Sequence, residues 1–477
     1  MKTQIILSLV LIFLIPMALA EKPKVLVVGW DGADWDRIEP IIEDMPNLKA
    51  LMENGMYGNL TSIFPTISPA AWSSIYTGKN PGEHGIFNFL DRKTLMPVTA
   101  KDVKAEAMWH ILGKNNYTVV AVVNVPQTYP PKPVNGVLVG GYLSIPGTIF
   151  TYPGELTKTL EEGGYVIEAM DQDYSVLKRK QLLDHLELTV DKRTQFAKGL
   201  MKQQDFDFFM VVYTGIDRIQ HYFWREKGKY KDAISDHYKK LDSLLGELID
   251  TYKPDYTIIV SDHGFMKLKG EIYTNNLLMN LGYLKLKQQP GFLARIGLTQ
   301  QLMRQWADRF PPLEWLRLKF KSSGSSLPKP NFLNIDTKNS KAFTFGWGGQ
   351  VYINAEGKEY EQIKNNIINA LYKIEDHGQK VVKDVYESKK ILHGSQMELA
   401  PDLIIVSPGY DAVGFMGFKG VLNTHQIKSG THALQGVYVL SGKGIDHKQQ
   451  QTTLLNIAPT VLKLFGLEAD MDGKPLI

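Results

Sequence analysis

The sequence predicts an α/β fold in which helices flank a doubly wound, mostly parallel sheet, with one inserted lid or cap segment. The first observation is a set of short, β-branched apolar runs, which are typical of strands buried on both faces. They span residues 24–29, 119–123, 208–213, 256–260, 403–406 and 436–440. The second observation is that helix-like segments lie between the runs, and such alternation indicates a parallel sheet.

The helix-like segments have the apolar spacing and the end signals of helices packed on a sheet. They span residues 45–52, 184–203, 234–252 and 454–465. The two longest are amphipathic, so each is expected to bury one face against the sheet. Thr452 or Thr453 could cap the last segment, which ends at Gly466.

The first twenty residues have the features of a secretory signal peptide. Lys2 gives a positive start, residues 5–15 are almost entirely apolar, and Ala-Leu-Ala at 18–20 is a small-x-small cleavage site. An uncleaved membrane anchor is the alternative, whereas a lipoprotein anchor is excluded because no Cys follows the run. We expect residues 21–477 to be exported as one catalytic domain to a periplasmic, extracellular or envelope-associated location. No later stretch is long and apolar enough for a transmembrane segment.

Composition narrows the class of protein and the chemistry of any site. The chain is 44% hydrophobic and 22% charged, as in soluble globular proteins. A formal net charge of +4 is small for 477 residues and argues against duplex nucleic acid as a partner. The chain has no Cys, which excludes disulfides and thiolate ligands. Any metal site must therefore use His, Asp, Glu and hydroxyl groups.

One region interrupts the alternation of strands and helices. Residues 288–330 are rich in Arg, Lys, Trp, Phe and Pro, and they include the run Ser-Ser-Gly-Ser-Ser at 322–326. The composition predicts an insertion into the catalytic domain. A lid that contacts substrate and a surface excursion that never meets it are both compatible with the sequence.

Acidic and imidazole side chains gather where the predicted strands end or begin. In an open parallel sheet, ligands bind beyond the carboxyl ends of the strands. The residues at these places are Asp31, Asp217, His221, Asp262, His263 and, ahead of the last strand, His432. Singly, each has an ordinary explanation as a helix cap or a hydrogen-bonded histidine. Together they supply the oxygen and nitrogen ligands that two Zn²⁺ ions require. His425 is expected to be dispensable for metal binding.

A candidate nucleophile lies in the segment that follows the first helix-like region. Small residues after Pro69 fit a helix that begins there, which would put Ser68 at the N-cap. Helix amides and the helix dipole favour an anionic phosphate at that position. Two alternatives stay open: Ser68 is only a capping residue, or Thr66 is the reactive hydroxyl.

The ordered set of motifs resembles the alkaline phosphatase superfamily, and specifically its type I phosphodiesterase and nucleotide pyrophosphatase branch. The set comprises an Asp after the first strand, Phe-Pro-Thr-x-Ser, Thr-Gly, His-Gly-Ile, Asp-x-x-x-His, Asp-His-Gly and a late Gly-x-His. The resemblance runs from about Val25 to Leu467. No single motif is specific, but the set in this order is.

The resemblance implies a site with two divalent metal ions, Zn²⁺ most often and Mn²⁺ or Fe in some branches. It places Asp217, His221 and His432 on one metal, and it assigns to the other metal Asp31, Ser68, Asp262 and His263. Ser68 is then the nucleophile that forms a phosphoserine. Asn88 is expected to bind a phosphate oxygen, although it stands one residue earlier than the family's Asn.

The resemblance also implies a small-molecule phosphate ester as substrate, most simply a phosphodiester. A phosphomonoesterase or an envelope phosphotransferase on the same scaffold is the alternative. Sulfatases resemble one another in an Arg four residues after the nucleophile, and Trp72 holds that position here. A binding protein without activity is disfavoured because every expected metal-site residue is present. Oligomeric state is not predicted.

Overall fold

The computed structural model describes residues 22–117, 119–141, 144–167, 179–288, 334–414, 420–424 and 428–477. The predicted signal peptide, nearly all of the predicted insertion and His425 lie outside these ranges. Within them, no helix combines the length and the apolar character that crossing a bilayer requires.

The described strands in chain order are β1 (Val25–Trp30), β2 (Gly55–Thr61), β3 (Val119–Val125), β4 (Gly136–Gly140), β5 (Thr151–Tyr152), β6 (Phe208–Tyr213), β7 (Tyr256–Val260), β8 (Gly264–Lys267), β9 (Gly270–Tyr273), β10 (Ala342–Phe343), β11 (Gln350–Ile353), β12 (Glu375–Asp376), β13 (Gln379–Lys380), β14 (Asp384–Glu387), β15 (Leu403–Val406), β16 (Tyr410–Val413), β17 (Leu422–Asn423), β18 (Gly430–Ala433), β19 (Gln435–Gly442), β20 (Lys448–Gln449) and β21 (Thr452–Thr453).

The described α-helices are α1 (Trp35–Ile38), α2 (Pro46–Glu53), α3 (Ser68–Thr77), α4 (Pro81–His84), α5 (Met108–Lys114), α6 (Leu156–Glu162), α7 (Arg179–Gln203), α8 (Gly215–Phe223), α9 (Ala233–Tyr252), α10 (Thr274–Asn280), α11 (Gly357–Leu371), α12 (Ser388–Ile391) and α13 (Ile457–Leu464). Short 3₁₀ turns span Glu39–Asp44, Gly228–Tyr230, Met397–Leu399 and Leu454–Asn456. The four predicted helices are thus present. Their ends differ by a few residues, and the last one begins as a 3₁₀ turn.

The central sheet confirms the predicted α/β class. Its strand order is β20-β2-β19-β7-β1-β6-β3-β4-β5, with β21 also paired to β2. The five neighbours β7, β1, β6, β3 and β4 are all parallel to one another. In register, Trp30 pairs with Tyr213 and Gly29 with Val260, so β1, β6 and β7 end side by side. Whatever follows these three strands must meet at one edge of the sheet.

Two of the predicted parallel strands are placed differently. The strand at 436–440 lies in the central sheet as β19 but runs antiparallel to β7 and β2. It does so because the chain reaches β19 from the edge where the parallel strands end. The strand at 403–406 is β15, and it belongs to a separate antiparallel sheet of order β10-β11-β15-β14. A short apolar run does not reveal which sheet it will join.

Apolar side chains cover both faces of the central sheet. Along β1, Val25 and Val27 pack into the cluster that contains α3, α5 and α13, whereas Leu26 and Val28 pack into the cluster that contains α7, α8 and α9. A third cluster lies beneath the second sheet and includes Tyr352. Alternation along a strand buried on both faces is what the continuous apolar runs predict.

Candidate metal centre

Three parallel strands deliver acidic and imidazole groups to the same edge of the sheet. Asp31 follows β1 and is 2% exposed, while Asp262 and His263 follow β7 and are fully buried. Helix α8 begins two residues after β6 and carries Asp217 and His221 four residues apart, on one face. The predicted strand-end residues therefore meet because their strands are neighbours.

His432 reaches this edge of the sheet through an antiparallel strand pairing and not by following a parallel strand. Strand β18 pairs antiparallel with β8, and the register sets His432 opposite Phe265. Because β8 starts immediately after His263, this pairing stacks the two imidazoles with centroids 3.6 Å apart. His432 also lies close in space to the segment just before Ser68, since its Nδ1 is 3.1 Å from the carbonyl oxygen of Thr66.

Asp217, His221 and His432 form a compact group that we call the Asp217 cluster. Asp217 Oδ1 is 3.4 Å from His221 Nε2 and 3.3 Å from His432 Nε2, and the two Nε2 atoms are 3.3 Å apart. Ligands bound tetrahedrally at about 2.0–2.1 Å from Zn²⁺ are separated by roughly 3.3 Å. The triangle of donor atoms therefore has the size of one face of such a site.

The protonation of these histidines follows from their other ring nitrogens. His221 Nδ1 lies 2.9 Å from the carbonyl oxygen of Gly430, and His432 Nδ1 faces that of Thr66. A carbonyl oxygen only accepts, so each Nδ1 carries the proton and each Nε2 presents a lone pair. Asp217 Oδ1 is buried and accepts no hydrogen bond within the described part of the chain. With both imidazoles neutral, three acceptors converge on one point, and a cation fits between them.

Asp31, Ser68, Asp262 and His263 form a second group, the Asp31 cluster. His263 Nε2 lies 3.3 Å from Asp262 Oδ2, 3.4 Å from Ser68 Oγ and 3.9 Å from Asp31 Oδ1. His263 Nδ1 faces the carbonyl oxygen of Gly264, and buried Asp262 Oδ2 has no hydrogen-bond partner among the described residues. Apart from the Ser68 hydroxyl, which donates to Asp31 Oδ1, the second cluster therefore consists of acceptors like the first.

The two clusters adjoin, because Asp217, His263 and His432 also offer ligand atoms that all lie within 4.8 Å of one another. Electrostatics favour cations between them. Burial raises the pKa of Asp262 to about 7, and burial together with the charges of Asp262 and Asp217 raises the pKa of Asp31 well above its usual value. Burial also lowers the pKa of His263 to about 3. Bound cations would compensate this concentration of carboxylates.

Ser68 is the first residue of α3 rather than its N-cap as predicted, and Ile67 occupies the N-cap position. Its hydroxyl does not cap the helix. Ser68 Oγ instead lies 3.5 Å from Asp31 Oδ1 and 3.4 Å from His263 Nε2. Thr66, the competing hydroxyl, donates to the carbonyl oxygen of Ile63 at 2.9 Å. Of the two, Ser68 is the hydroxyl that the fold brings to the Asp31 cluster.

Two further side chains orient the carboxylates, and the sequence analysis did not identify either. Trp72 is fully buried, and its Nε1 donates to Asp31 Oδ2 at 2.9 Å. Arg218 Nη1 donates to Asp217 Oδ2 at 2.6 Å. Trp72 lies one helical turn after Ser68, so its place on the same helix face was the available signal. For Arg218 the signal was its position next to Asp217.

Asn88 has a different environment from the one expected for a phosphate ligand. It is buried, and its Nδ2 donates to the carbonyl oxygens of Phe345 at 3.2 Å and Trp347 at 3.4 Å. Its Oδ1 accepts from the backbone N–H of Phe89 at 2.8 Å. The side chain thus fastens the loop that presents Trp347, and its role as a phosphate ligand stays a prediction.

A cavity of about 420 Å³ opens on the two clusters. Ser68, His221 and His432 belong to its wall on the side of the central sheet, and the opposite wall comes from the loops and strands of the second sheet. Aromatic side chains of Phe64, Phe89 and Trp347 line part of it. Its charged lining consists of Arg218, Lys383, Asp411 and Lys428. The arrangement provides an apolar, partly cationic chamber beside the buried hydroxyl of Ser68.

Comparison with known proteins agrees with this architecture. Two solved structures of murine ectonucleotide pyrophosphatase/phosphodiesterase 5 are similar in fold, one of them an inactive variant in complex with AMP. The inactive variant is 12% identical, with a TM-score of 0.54, and the match covers 95% of this chain and 97% of that one. The other is 13% identical, with a TM-score of 0.56 and coverage of 94% and 97%. No curated protein matches in sequence.

The family itself is established by sequence. The family model described as type I phosphodiesterase / nucleotide pyrophosphatase matches residues 25–414, which contain every member of the two clusters except His432. His432 joins them through the pairing of β18 with β8. A match over most of the chain, on a fold with clustered Asp and His ligands, supports one conclusion: the chain is a phosphate ester hydrolase that belongs to the type I phosphodiesterase / nucleotide pyrophosphatase family.

Proposed function

We propose that the chain is a two-metal phosphodiesterase that cleaves its substrate through a phosphoserine on Ser68. The observation that carries this proposal is the placement of Ser68 Oγ, 3.5 Å from Asp31 Oδ1 and 3.4 Å from His263 Nε2. These are acceptor groups that would hold a cation against the hydroxyl. A hydroxyl so placed is suited to act as an alkoxide nucleophile.

The Asp217 cluster would hold one divalent ion and the Asp31 cluster the other. Nitrogen and oxygen donors at tetrahedral spacing favour Zn²⁺, and no thiolate is present to alter that preference. When bound, such ions lower the pKa of a hydroxyl and neutralise charge on a phosphoryl group. The protein's own side chains cannot supply this chemistry.

The protein's own groups position the reacting atoms. Trp72 and Arg218 each hold one oxygen of a carboxylate, so that the other oxygen faces the site. The N-terminus of α3 presents amides and a positive dipole to the phosphate as Ser68 Oγ attacks phosphorus. The ester oxygen opposite Ser68 leaves as an alcohol, and water then hydrolyses the phosphoserine. Each step breaks one P–O bond as another forms.

A phosphodiester fits the chamber better than a small monoester. The cavity of about 420 Å³ is large enough to hold ester groups beyond the phosphate, and Phe89 and Trp347 give it an aromatic wall. AMP bound to the murine relative is consistent with a substrate that carries a nucleotide group.

One observation favours the alternative, a phosphomonoesterase or an envelope phosphotransferase: Arg218, Lys383 and Lys428 would suit a doubly charged phosphoryl group. Export through the predicted signal peptide is part of the proposal.

The test compares bis-p-nitrophenyl phosphate, p-nitrophenyl phosphate and nucleotide phosphodiesters as substrates of the Zn²⁺-loaded protein. We expect kcat/KM to be at least tenfold higher for the diesters. Trapped phosphoserine on Ser68 after acid quenching would support the covalent route. A preference for the monoester would replace the diesterase proposal with its alternative, and transfer to an added alcohol would favour the phosphotransferase.

A further inference from the structure

A second cavity, of about 320 Å³, lies beyond the end of β3 and shares no lining residue with the cavity at the two clusters. Its walls come from α3, from α5 and the loop before it, and from the segment that follows β3. The end of β3 is at the carboxyl edge of the central sheet, since β3 runs parallel to β6. That edge is where sheets of this class bind ligands.

The lining of this cavity contains polar groups that have no hydrogen-bond partner within the described part of the chain. Gln127 is 3% exposed, and neither its Nε2 nor its Oε1 has a hydrogen-bond partner within the described residues. The Nε1 of Trp109 is equally buried and equally unpartnered. Both residues line the cavity. Buried polar groups in native proteins are nearly always paired, so three such atoms at one cavity indicate a missing partner.

The backbone at Gln127 is a further sign of a functional site. Its φ is +64°, in the left-handed region that a residue with a Cβ rarely adopts. The neighbouring Asn124 also has a positive φ, of +68°, but its Nδ2 donates to the carbonyl oxygen of Val212. Gln127 has no such bond to account for its conformation. Unusual conformations of this kind concentrate at ligand-binding sites.

The rim of the cavity is cationic. Lys104 and Lys132 both line it, together with His110. Burial and the charge of Lys104 lower the pKa of Lys132, and burial and the charge of Lys132 lower that of His110. Glu106, the acidic residue in the lining, is paired with Lys114 at 2.6 Å. Like charges held at one opening are relieved when an anion binds between them.

We propose that this cavity binds an organic phosphate monoester. Its doubly charged head would lie between Lys104 and Lys132, because a dianion neutralises both ammonium groups, whereas a carboxylate neutralises one. Its uncharged body would enter the apolar part beside Leu138, where the Gln127 amide can donate one hydrogen bond and accept another. The cavity is distinct from the metal centre, so this ligand is not the substrate undergoing cleavage.

The test is calorimetric titration of the metal-loaded protein with phenylphosphonate, an analogue that cannot be hydrolysed. We expect two bound molecules per chain, one at the metal centre and one in this cavity. Lys132→Ala and Gln127→Met should weaken the second site at least tenfold, while Lys101→Ala, an exposed lysine outside the cavity lining, should not. Lys132→Ala should hydrolyse bis-p-nitrophenyl phosphate at the wild-type rate.

The melting temperature of Gln127→Met distinguishes a ligand site from a packing defect. Gln127→Met removes an unpartnered amide, so its melting temperature without ligand should equal or exceed that of the wild type. A lower melting temperature with unchanged binding would show that Gln127 only supports the fold, and the proposal would be overturned. Inorganic phosphate bound as tightly as phenylphosphonate would also overturn it, because the cavity would then select an adventitious ion only.

Discussion

Arg218 donates from Nη1 to Oδ2 of Asp217 at 2.6 Å, while Oδ1 of the same carboxylate faces the Nε2 atoms of His221 and His432 at 3.4 and 3.3 Å. The two carboxylate oxygens of Asp217 therefore have different roles, one towards Arg218 and one towards the histidines. The guanidinium fixes the plane of the carboxylate and satisfies the oxygen that no cation would contact. It also forms part of the wall of the active-site cavity.

Replacing Arg218 should weaken the Asp217 cluster without destroying the fold. Arg218→Leu removes the bond to Asp217 Oδ2, so we expect metal affinity at this cluster to fall about 10- to 100-fold, the usual effect of losing a group that orients a ligand. Arg218→Lys should recover part of the affinity, since it restores one donor. Metal affinity is measured by dialysis against chelator buffers, and equal affinity of all three proteins would refute the orienting role.

Ser68→Ala should reduce kcat for a p-nitrophenyl diester by several orders of magnitude, because it deletes the proposed nucleophile. Metal content should remain nearly unchanged, since the other ligands stay in place. Thr66→Ala is the matched control: its hydroxyl is bonded to the Ile63 carbonyl, so the variant should keep most of the activity. A larger loss of kcat for Thr66→Ala than for Ser68→Ala would show that Ser68 is not the nucleophile.

Elemental analysis of the active protein should find about two transition-metal ions per chain, as two-metal sites require. His432→Ala should lower this value towards one, because His432 completes the Asp217 cluster. His377→Ala, at a histidine whose side chain is 95% exposed, should leave metal content unchanged. An active wild-type preparation with one ion per chain, or none, would contradict the two-metal proposal.

Trp72→Phe should impair the Asp31 cluster through the loss of one N–H group. The ring remains to fill the buried space beside Gly29, but Asp31 Oδ2 loses its donor at 2.9 Å. We expect kcat to fall 10- to 100-fold with a smaller change in KM. Trp35→Phe, which removes an indole bond to the Gly58 carbonyl outside the site, should affect stability more than kcat. Similar kcat values for both variants would argue against this role for Trp72.

His84 should make the metal-free protein sensitive to acid. It is buried between Ser74 and the backbone of Ile86, and burial lowers its pKa from 6.5 to about 3. Below pH 6.5 the unfolded chain binds a proton that the folded chain excludes, so stability falls as pH decreases towards 3. The slope from this group is at most about 1.4 kcal/mol per pH unit. Denaturant titrations at several pH values should show a shallower slope for His84→Gln and an unchanged one for His377→Gln.

The sequence predicts that most side chains of the two clusters lie together, because local features determine where they stand. Asp31 and Asp262 stand directly after apolar runs, and such runs form the middle of a parallel sheet where their ends must meet. The spacing of Asp217 and His221 matches one turn of helix, which α8 confirms. These inferences need only the periodicity of the chain and the general geometry of α/β sheets.

The second wall of the active-site cavity could not be predicted in this way. The run at 403–406 has the composition of a central strand, yet it pairs with β11 and β14 in another sheet. The amide of Asn88 donates to two carbonyl oxygens more than 250 residues later in the chain. Both outcomes depend on long-range contacts, and no local pattern encodes which distant backbone a side chain will meet.

The pairing of β18 with β8 has a consequence for the order of events during folding. Asp217 and His432 form two corners of the triangle of donor atoms in the Asp217 cluster. The His432 ring also contacts Thr66, 366 residues earlier in the chain. A nascent chain that stops before β18 can build the parallel strands but lacks the third corner of that triangle. Because β19 follows β18 directly and lies between β2 and β7 in the central sheet, the Asp217 cluster is complete only when nearly the whole chain has been synthesised and this sheet has closed.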